Sequence, residues 1–334
     1  MNTGSLELTL AWDGTQIVAA EINSTRPPVA RALRGLPLAR VVEVVPRLFS
    51  LCRHAQGAAA RLALLAVRGE QAGIDARIDL GLNIASEAIA EHLYHLLISW
   101  PQICGERFRS NPWKDLSSWR KRLQGIGDQA TAAALGAEFS NWLEEIPPPQ
   151  FDDAAAVNAV SLLSQIGVAE WASHIDRADF SELPTFAGQP AETGVLARHA
   201  GDPEVAALLA SGRRVRARLL ARQAELRWLA QGLVDLPRLA TLLDAAAVAE
   251  GCGLARVETA RGTLLHRIEV DGDRVHRYLI VAPTEWNFHP QGAFVREIVG
   301  CPAPTRGDAL LTAGRLALSL DPCVPCVWKV DDDA

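Results

Sequence analysis

Strand-forming alternation is confined to two stretches of this chain, and that confinement limits its architecture more than any other feature. Residues 6–22, LELTLAWDGTQIVAAEI, alternate apolar and polar on both sides of Asp13-Gly14, the pattern of a hairpin that turns at the DG pair. From Arg256 to Ala282 the alternation returns, with a second turn expected at Asp271–Asp273. Most of the remainder is rich in Ala and Leu at helical spacing. In Ser86–Trp100, Ile89, Leu93, Leu96 and Leu97 share one face. The segment GDPEVAALLASGRRVRARLLARQAELRWLAQGL opens with Asp202 as N-cap and Pro203 at the first helical position. The triple proline at 147–149 marks a break, after which Asp152 or Asp153 would cap a helix through AAAVNAVSLLSQIGVAEWA. A last helix, about Ala309 to Ser319, leads into DPCVPC. The expected fold class is α+β, predominantly α, with small β-hairpins near the N-terminus and around 256–282. No repeat or clear linker divides the chain, so residues 1–334 are expected to form a single domain.

With 49% apolar residues, the 334-residue chain can bury a full core. A net charge of −6 supplies no basic field for nucleic acid. MNTGSLELTL lacks the basic start and apolar run of a signal peptide, and no apolar run approaches the ~20 residues that span a bilayer. A cytoplasmic protein with neither nucleic acid nor membrane as partner is expected. Its six cysteines (52, 104, 252, 301, 323 and 326) are too few and scattered for a disulfide scaffold, and in a reducing compartment they are thiols.

Cys323 and Cys326 form the one CxxC, a spacing shared by redox, zinc and iron proteins. A structural zinc would need two further ligands, and no second pair is present. His92 and His95 stand three apart in a Leu-rich helix, where packing or capping is the commoner role.

DPCVPC (Asp321–Cys326) resembles the C-terminal metal-binding motif of the large subunit of nickel–iron hydrogenases, DPCxxCxxH. RLFSLCRHAQ (Arg47–Gln56) is similar to that family's N-terminal motif, RxCGxCxxxH. TARGTLLHRIEVDGDRVHRYLIVAPTEWNFHP resembles its block APRG…H…G…PSTWN. The order of the blocks is the family's, with further similarity in RALRGL and HLYHLL. Residues 105–250 are least similar, and the chain is shorter than a hydrogenase large subunit. The resemblance implies a large-subunit-like helical core. It also implies that Cys52, Cys326 and Cys323 are metal ligands. Cys52 and Cys326 match the thiolates that bridge nickel and iron, and Cys323 matches a nickel-only thiolate. Arg261 and Thr284, beside Pro283, match the residues that donate to the cyanides of the iron, and Asp321 is placed to pair with Arg261.

The departures from the family pattern bear on function. Phe49 stands at the place of the first N-terminal cysteine, which removes a nickel ligand, and Ser50 replaces the glycine. Thr3 stands where the family's proton-carrying glutamate would be. Pro37 and Lys329 replace two ligands of a magnesium-type ion, and the Lys329 ammonium is a candidate substitute for its charge. Nickel and magnesium are therefore not expected. Only Val330 to Ala334 follow Lys329, so no cleavable tail and no proteolytic maturation are expected. Gln56 takes the family's histidine place and can donate to a thiolate. His54 could face solvent. His266 aligns with a family position but could simply pack on its strand, and Trp286 and Asn287 read as a structural turn.

The pattern is similar to hydrogenase-assembly proteins of the HupK/HoxV type, which resemble a truncated large subunit. That likeness implies a maturation scaffold, not an enzyme. It would carry iron as Fe(CN)2(CO) from a small hydrogenase-assembly chaperone and its iron scaffold partner to the hydrogenase large subunit precursor. Cys323 would be a third ligand or the thiol that starts transfer. Three alternatives stand beside it. A divergent nickel–iron enzyme would take up hydrogen when supplied with nickel. A metal-free interaction module would carry no iron. A dithiol oxidoreductase would form a reversible disulfide between Cys323 and Cys326. Finally, Arg214, Arg218 and Arg222 recur every four residues on one helix face. That face reads as solvated, or else as a docking stripe for an acidic partner.

Overall fold

The computed structural model describes residues 4–331 except 50, 106–108, 152, 157, 164, 176 and 178. Thr3, Ser50, Asp152 and the tail residues Asp332 and Asp333 lie outside the described residues.

Strands β1 (Leu6–Trp12) and β2 (Ile17–Ser24) form the expected antiparallel hairpin, with Leu6 opposite Ser24. Its turn needs glycine: Gly14 takes φ +92°, while Asp13 Oδ1 accepts from the amides of Thr15 (2.8 Å) and Gln16 (2.9 Å). Helices α1 (Leu38–Leu48), α2 (Arg53–Val67) and α3 (Ile74–Tyr94) follow. α3 runs into a π-helical turn, His95–Ser99, and then a short helix, Trp100–Cys104. Helices α4 (Pro112–Gln124) and α5 (Gln129–Leu143) begin at Asn111 and Asp128, whose side chains cap Lys114 N and Thr131 N.

Among the described residues, the helix expected through 154–172 is absent. Only Val168–Trp171 is helical there, and Ser161–Leu162 instead pairs parallel with Ala191–Glu192. Val160, Leu162 and Leu163 pack into three different apolar clusters. An α-turn would put Val160 and Leu163 on one face, so only an extended chain reaches all three. Asp153 caps no helix of its own; its Oδ2 accepts from Arg216 N at 3.2 Å.

Asp202 does cap α6 (Pro203–Ala210), accepting from Glu204 N at 3.0 Å. The helix then breaks at Gly212 (φ +73°) before α7 (Arg214–Val234). The strand region begins earlier than its alternation suggested. β3 (Leu243–Ala249), β4 (Cys252–Thr259), β5 (Gly262–Asp271) and β6 (Arg274–Val281) form an antiparallel sheet in chain order. Its last turn is the expected one, with Gly272 at φ +60°. Helices α8 (Pro283–Asn287), α9 (Ala293–Ile298) and α10 (Arg306–Leu320) complete the helical set. Thr305 and Asp308 cap α10 reciprocally. Strand β7 (Cys326–Asp331), which no alternation announced, lies parallel to β1 with Cys326 opposite Leu6. The first sheet is thus β2-β1-β7.

The largest apolar cluster joins α2, α3, α4, α5 and α7 to one face of the four-stranded sheet. α2 can lie close because it is Ala-rich on that side: Ala55, Ala59 and Ala63 are fully buried. Its partner on β4 is Gly253, where an added Cβ would stand 2.2 Å from Ala63 O. Gly253→Ala should therefore force α2 off the sheet and lower stability by about 1–3 kcal/mol. A urea midpoint equal to that of the parent would refute this. A second cluster fills the space between the three-stranded sheet and α9 and α10.

The arginine face of α7 is neither solvated nor a docking stripe. Arg214, Arg218 and Arg222 are 7%, 2% and 2% exposed. Arg218 donates to Glu192 Oε1 (2.7 Å) and Glu297 Oε1 (2.6 Å), and Arg214 Nε donates to Glu297 Oε1 at 2.7 Å. Carboxylates distant in sequence cover the stripe, which is why spacing alone could not reveal its environment. Among the described residues, no helix is long and apolar enough to cross a membrane.

Candidate functional site

α10 ends at Asp321, whose left-handed backbone (φ +55°) turns the chain into Pro322 and Cys323. The Asp321 carboxylate is buried and receives three cationic or polar side chains. His95 Nε2 lies 2.7 Å away, Arg222 Nη1 3.2 Å and Arg261 Nε 3.2 Å. Burial alone would raise its pKa, but Arg261, His95 and Arg222 hold it well below the usual carboxylate range. The Asp321–Arg261 pair expected from the sequence is thus present.

Arg261 sits in the β4–β5 turn, where Thr259 Oγ1 accepts from the amides of Arg261 (3.1 Å) and Gly262 (3.2 Å). Its guanidinium also donates to Glu91 Oε2 at 2.9 Å. Arg222 Nη1 donates to His92 Nδ1 at 2.9 Å. Since that nitrogen accepts, His92 is neutral, and burial drives its pKa well below the ordinary value. The two histidines of HLYH therefore support the arginines and Asp321. The π-turn is what points His95 at Asp321.

Cys52 precedes the first turn of α2. The missing N-cap is supplied by Glu87 of α3, which accepts from His54 N (2.8 Å) and Ala55 N (3.2 Å). Burial pushes Glu87 up to about 7. The Thr284 hydroxyl donates to Cys323 Sγ at 3.1 Å and accepts from Cys323 N at 3.3 Å. Pro283 opens α8 at its first position and sets that hydroxyl's approach. Asn287 ties α8 to the end of α10 through Leu320 O at 3.4 Å, while Trp286 is fully buried against Trp171 and Phe180. Both act structurally, as read from the sequence.

Burial pushes the Cys52 thiol up to about 12, and the nearby Cys323 and Glu87 add to the shift, while Arg261 and Gln56 oppose it. Burial alone pushes Cys326 up to about 11. So Cys52 and Cys323 lie within each other's electrostatic reach. Cys326 begins β7 and instead faces a cavity of about 500 Å³, which it lines with Leu51, Glu91, His95, Arg261 and Asp321.

A buried hydrogen-bond chain stands behind Cys52. Gln56 Nε2 donates to Cys52 Sγ at 3.7 Å, and Gln56 Oε1 accepts from His266 Nε2 at 2.8 Å. His266 Nδ1 then accepts from the Tyr278 hydroxyl at 2.8 Å. Each bond fixes the next, so the amide nitrogen of Gln56 must face the sulfur. His266 is held neutral, its pKa pushed down to about 3 by burial.

Phe49, at the place where the resemblance puts a further thiol, packs against the main core. Pro37 caps the start of α1. Lys329 is exposed and pairs with Asp331 at 3.0 Å, so its ammonium faces solvent and does not replace the charge of an internal ion. His54 is also exposed. Among the described residues, no three His, Cys, Asp or Glu side chains converge as a preformed metal cage.

Sequence reasoning missed Arg26, Glu87, Glu91 and Arg222 as members of this site. Arg26 pairs with Glu285 and lies within electrostatic reach of both Cys323 and Cys52. A usable signal was present: TEW places a glutamate where the hydrogenase block has threonine.

The chain is similar to known proteins in sequence and in fold. A family model described as nickel-dependent hydrogenase matches residues 212–328. The hydrogenase expression/formation protein HupK of Rhizobium leguminosarum bv. viciae is 30% identical across 97% of this chain and 96% of its own length. This chain belongs to the HupK/HoxV family. Another HupK/HoxV member, the HoxV protein of Cupriavidus necator, is 30% identical over 91% of each chain. The HupK/HoxV fold is that of a hydrogenase large subunit. The reduced, active Ni-Fe-Se hydrogenase of Desulfomicrobium baculatum superposes with a TM-score of 0.66 at 15% identity, over 93% of this chain and 94% of its own. The expected α+β class with its large-subunit-like core is therefore correct.

Proposed function

We propose that this HupK/HoxV-family chain is a hydrogenase maturation scaffold that holds an Fe(CN)2(CO) unit as cargo and passes it to the hydrogenase large subunit precursor. The relatives at 30% identity are named hydrogenase expression/formation proteins, which supports a maturation role. The observation that carries the finer reading is the meeting of Cys52 with Cys323 beside Arg261 and Thr284, with Phe49 in place of another thiol.

The donor set fits the cargo. Thiolates suit low-spin iron, and cyanide and CO fill the remaining positions, so few protein ligands are needed. Guanidinium and hydroxyl donors match the anionic cyanide nitrogens. A site with fewer thiols than a nickel–iron centre releases its metal more easily, as a carrier must. Cys326, matched to the second bridging thiol, opens on the cavity, and Cys323 is the third donor or the thiol from which transfer begins. Because burial keeps Cys52 and Cys326 protonated at neutral pH, loading displaces protons. In this reading nickel and magnesium play no part. The unit arrives from a small assembly chaperone and its iron scaffold partner, in the cytoplasm.

The test is infrared spectroscopy with metal analysis on protein purified without oxygen from cells with intact assembly machinery. Wild type should show cyanide and CO bands with iron and without nickel. Cys52→Ser should lose at least ten-fold in bound iron, on the scale known for altered metal shells. Iron-free, band-free wild-type protein would make the chain an interaction module.

A further inference from the structure

We propose that two cavities meeting at Leu51, Glu91 and Arg120 form one trough beside the thiols, and that it docks an acidic segment of a partner protein that also carries apolar residues. This deepens the carrier reading by naming the kind of surface that meets the chain, while the docking itself can be tested without cargo.

The cavity that Cys326 faces has a neighbour. A second one, of about 520 Å³, lies between α3 and α4 and is lined by Arg53, His54, Leu82, Glu87, Leu123 and Ile126. Leu51, Glu91 and Arg120 line both, so the two spaces adjoin there. Each has the size of a pocket for a drug-sized molecule, ~300–1,000 Å³. An iron with three diatomic ligands would leave most of that space empty, so the trough is shaped for something larger than the cargo. Its rim carries large apolar side chains in the open. Leu51, the residue before Cys52, is 43% exposed. Trp113 of α4 is 56% exposed and stands edge-on to Tyr94 of the first cavity at 6.3 Å. Leu82, Leu123 and Ile126 add an apolar wall. Apolar groups gathered at the mouth of a groove mark a surface made to be covered.

Charge decides the occupant. The carboxylates of the second cavity are already engaged. Glu87 accepts from His54 N at 2.8 Å and from Ala55 N at 3.2 Å, and Glu91 Oε2 accepts from Arg261 at 2.9 Å. The arginines are not engaged in the same way. Arg53 is exposed and, among the described residues, has no carboxylate within ion-pair distance. Arg120 is 41% exposed and comes no nearer than 4.0 Å to Glu91, whose other oxygen Arg261 holds. The trough therefore offers two unspent cations beside an apolar wall. In a chain of net charge −6 that is too little for nucleic acid, which needs an extended basic field. It suits a short acidic segment, whose carboxylates pair with Arg53 and Arg120 while its apolar side chains cover Leu51 and the wall. A segment seated there lies one residue from Cys52 and at the mouth of the space that Cys326 lines.

The test titrates the full chain into fluorescein-labelled synthetic peptides of equal length and leucine content, one acidic, one neutral and one basic, and reads fluorescence anisotropy. The acidic peptide should bind about ten-fold tighter than the basic one, and added salt should narrow the gap. Arg53→Ser/Arg120→Ser should weaken the acidic peptide about five-fold, the scale of two exposed ion pairs, and leave the neutral peptide unchanged. Arg31→Ser/Arg34→Ser removes the same charge from exposed positions outside both cavities and should bind as the parent does. A photoreactive form of the acidic peptide should crosslink within α3 or α4, as mapped by peptide mass spectrometry. No binding of the acidic peptide, equal losses in the two double variants, or crosslinks elsewhere would overturn the proposal and leave the carrier reading intact. A dimer in light scattering that Arg53→Ser/Arg120→Ser splits would give the trough to a second copy and overturn it too. Charge-selective docking in a wild type without cyanide bands would keep the trough and remove the carrier reading.

Discussion

Arg218→Met is expected to destabilise the protein by about 3–5 kcal/mol, the cost of leaving buried charges without their partner. Arg218 is 2% exposed and binds two carboxylates, Glu192 and Glu297, with Ser319 at 3.3 Å. Burial alone would lower its pKa, but Glu192 and Glu297 raise it. Glu192 is held down at about 2 despite a burial that alone would raise it, because Arg218 and Arg214 stand beside it. Removing the guanidinium leaves Glu192 with Arg214 only. Tryptophan fluorescence in urea reads the effect. A contrast is Arg122→Met: Arg122 pairs with Glu138 on the surface, where water already solvates both groups. Its midpoint should barely move. Equal losses in the two variants would contradict the argument.

Mild acid should destabilise the fold before most of its carboxylates titrate. His92, His95 and His266 are buried, and burial lowers all three pKa values, that of His266 to about 3. Unfolded chains take up these protons near pH 6.5 while the native chain does not. A depressed pKa contributes stability above the unfolded value, and that stability drains away as pH falls toward the folded value. Glu87 works in the opposite sense. Its pKa is raised to about 7, so the native state gains a proton first and gains stability as pH falls from 7 toward 4.5. Three histidines working in one sense against a single glutamate in the other leave a net loss of stability as pH falls below 6.5. The lowered carboxylates, Glu192 and Asp321, add their loss only below their unfolded values. Urea midpoints at pH 7.5, 6.5 and 5.5 measure the slope, and a flat profile would show that the histidines are not held neutral.

The contrast between these residues shows what a sequence can carry. Asp13-Gly14 and Asp271–Asp273 were legible because a tight turn is a local demand that Gly satisfies by itself. Asp202 was legible for the same reason, as a cap acts within three residues. The arginine stripe on α7 was legible as a face and misleading as an environment, since Glu192, Glu297 and Asp321 arrive from elsewhere in the chain. The stretch 154–172 failed because its apolar residues serve three clusters, which periodicity cannot distinguish from a helix. At the candidate site, the thiols, Arg261 and Thr284 were visible through their motifs. Arg26 was hidden because it precedes two prolines in a run without pattern, and its partner Glu285 is 259 residues away.

The pairing of β7 with β1 fixes when this protein can acquire a site at all. β1 leaves the ribosome some three hundred residues before β7, yet each needs the other to complete the sheet. Helices α1 to α5 and the four-stranded sheet can pack while synthesis continues, since their partners have emerged. Cys52 waits through all of this for Cys323, and Asp321 arrives just ahead of it to lock Arg222, Arg261 and His95. A chain stalled before residue 320 would hold most of the core yet have no thiol pair. The thiol pair thus forms only after the segment that follows α10 has met the one that opens β1, so its assembly reports on the closure of the whole sheet.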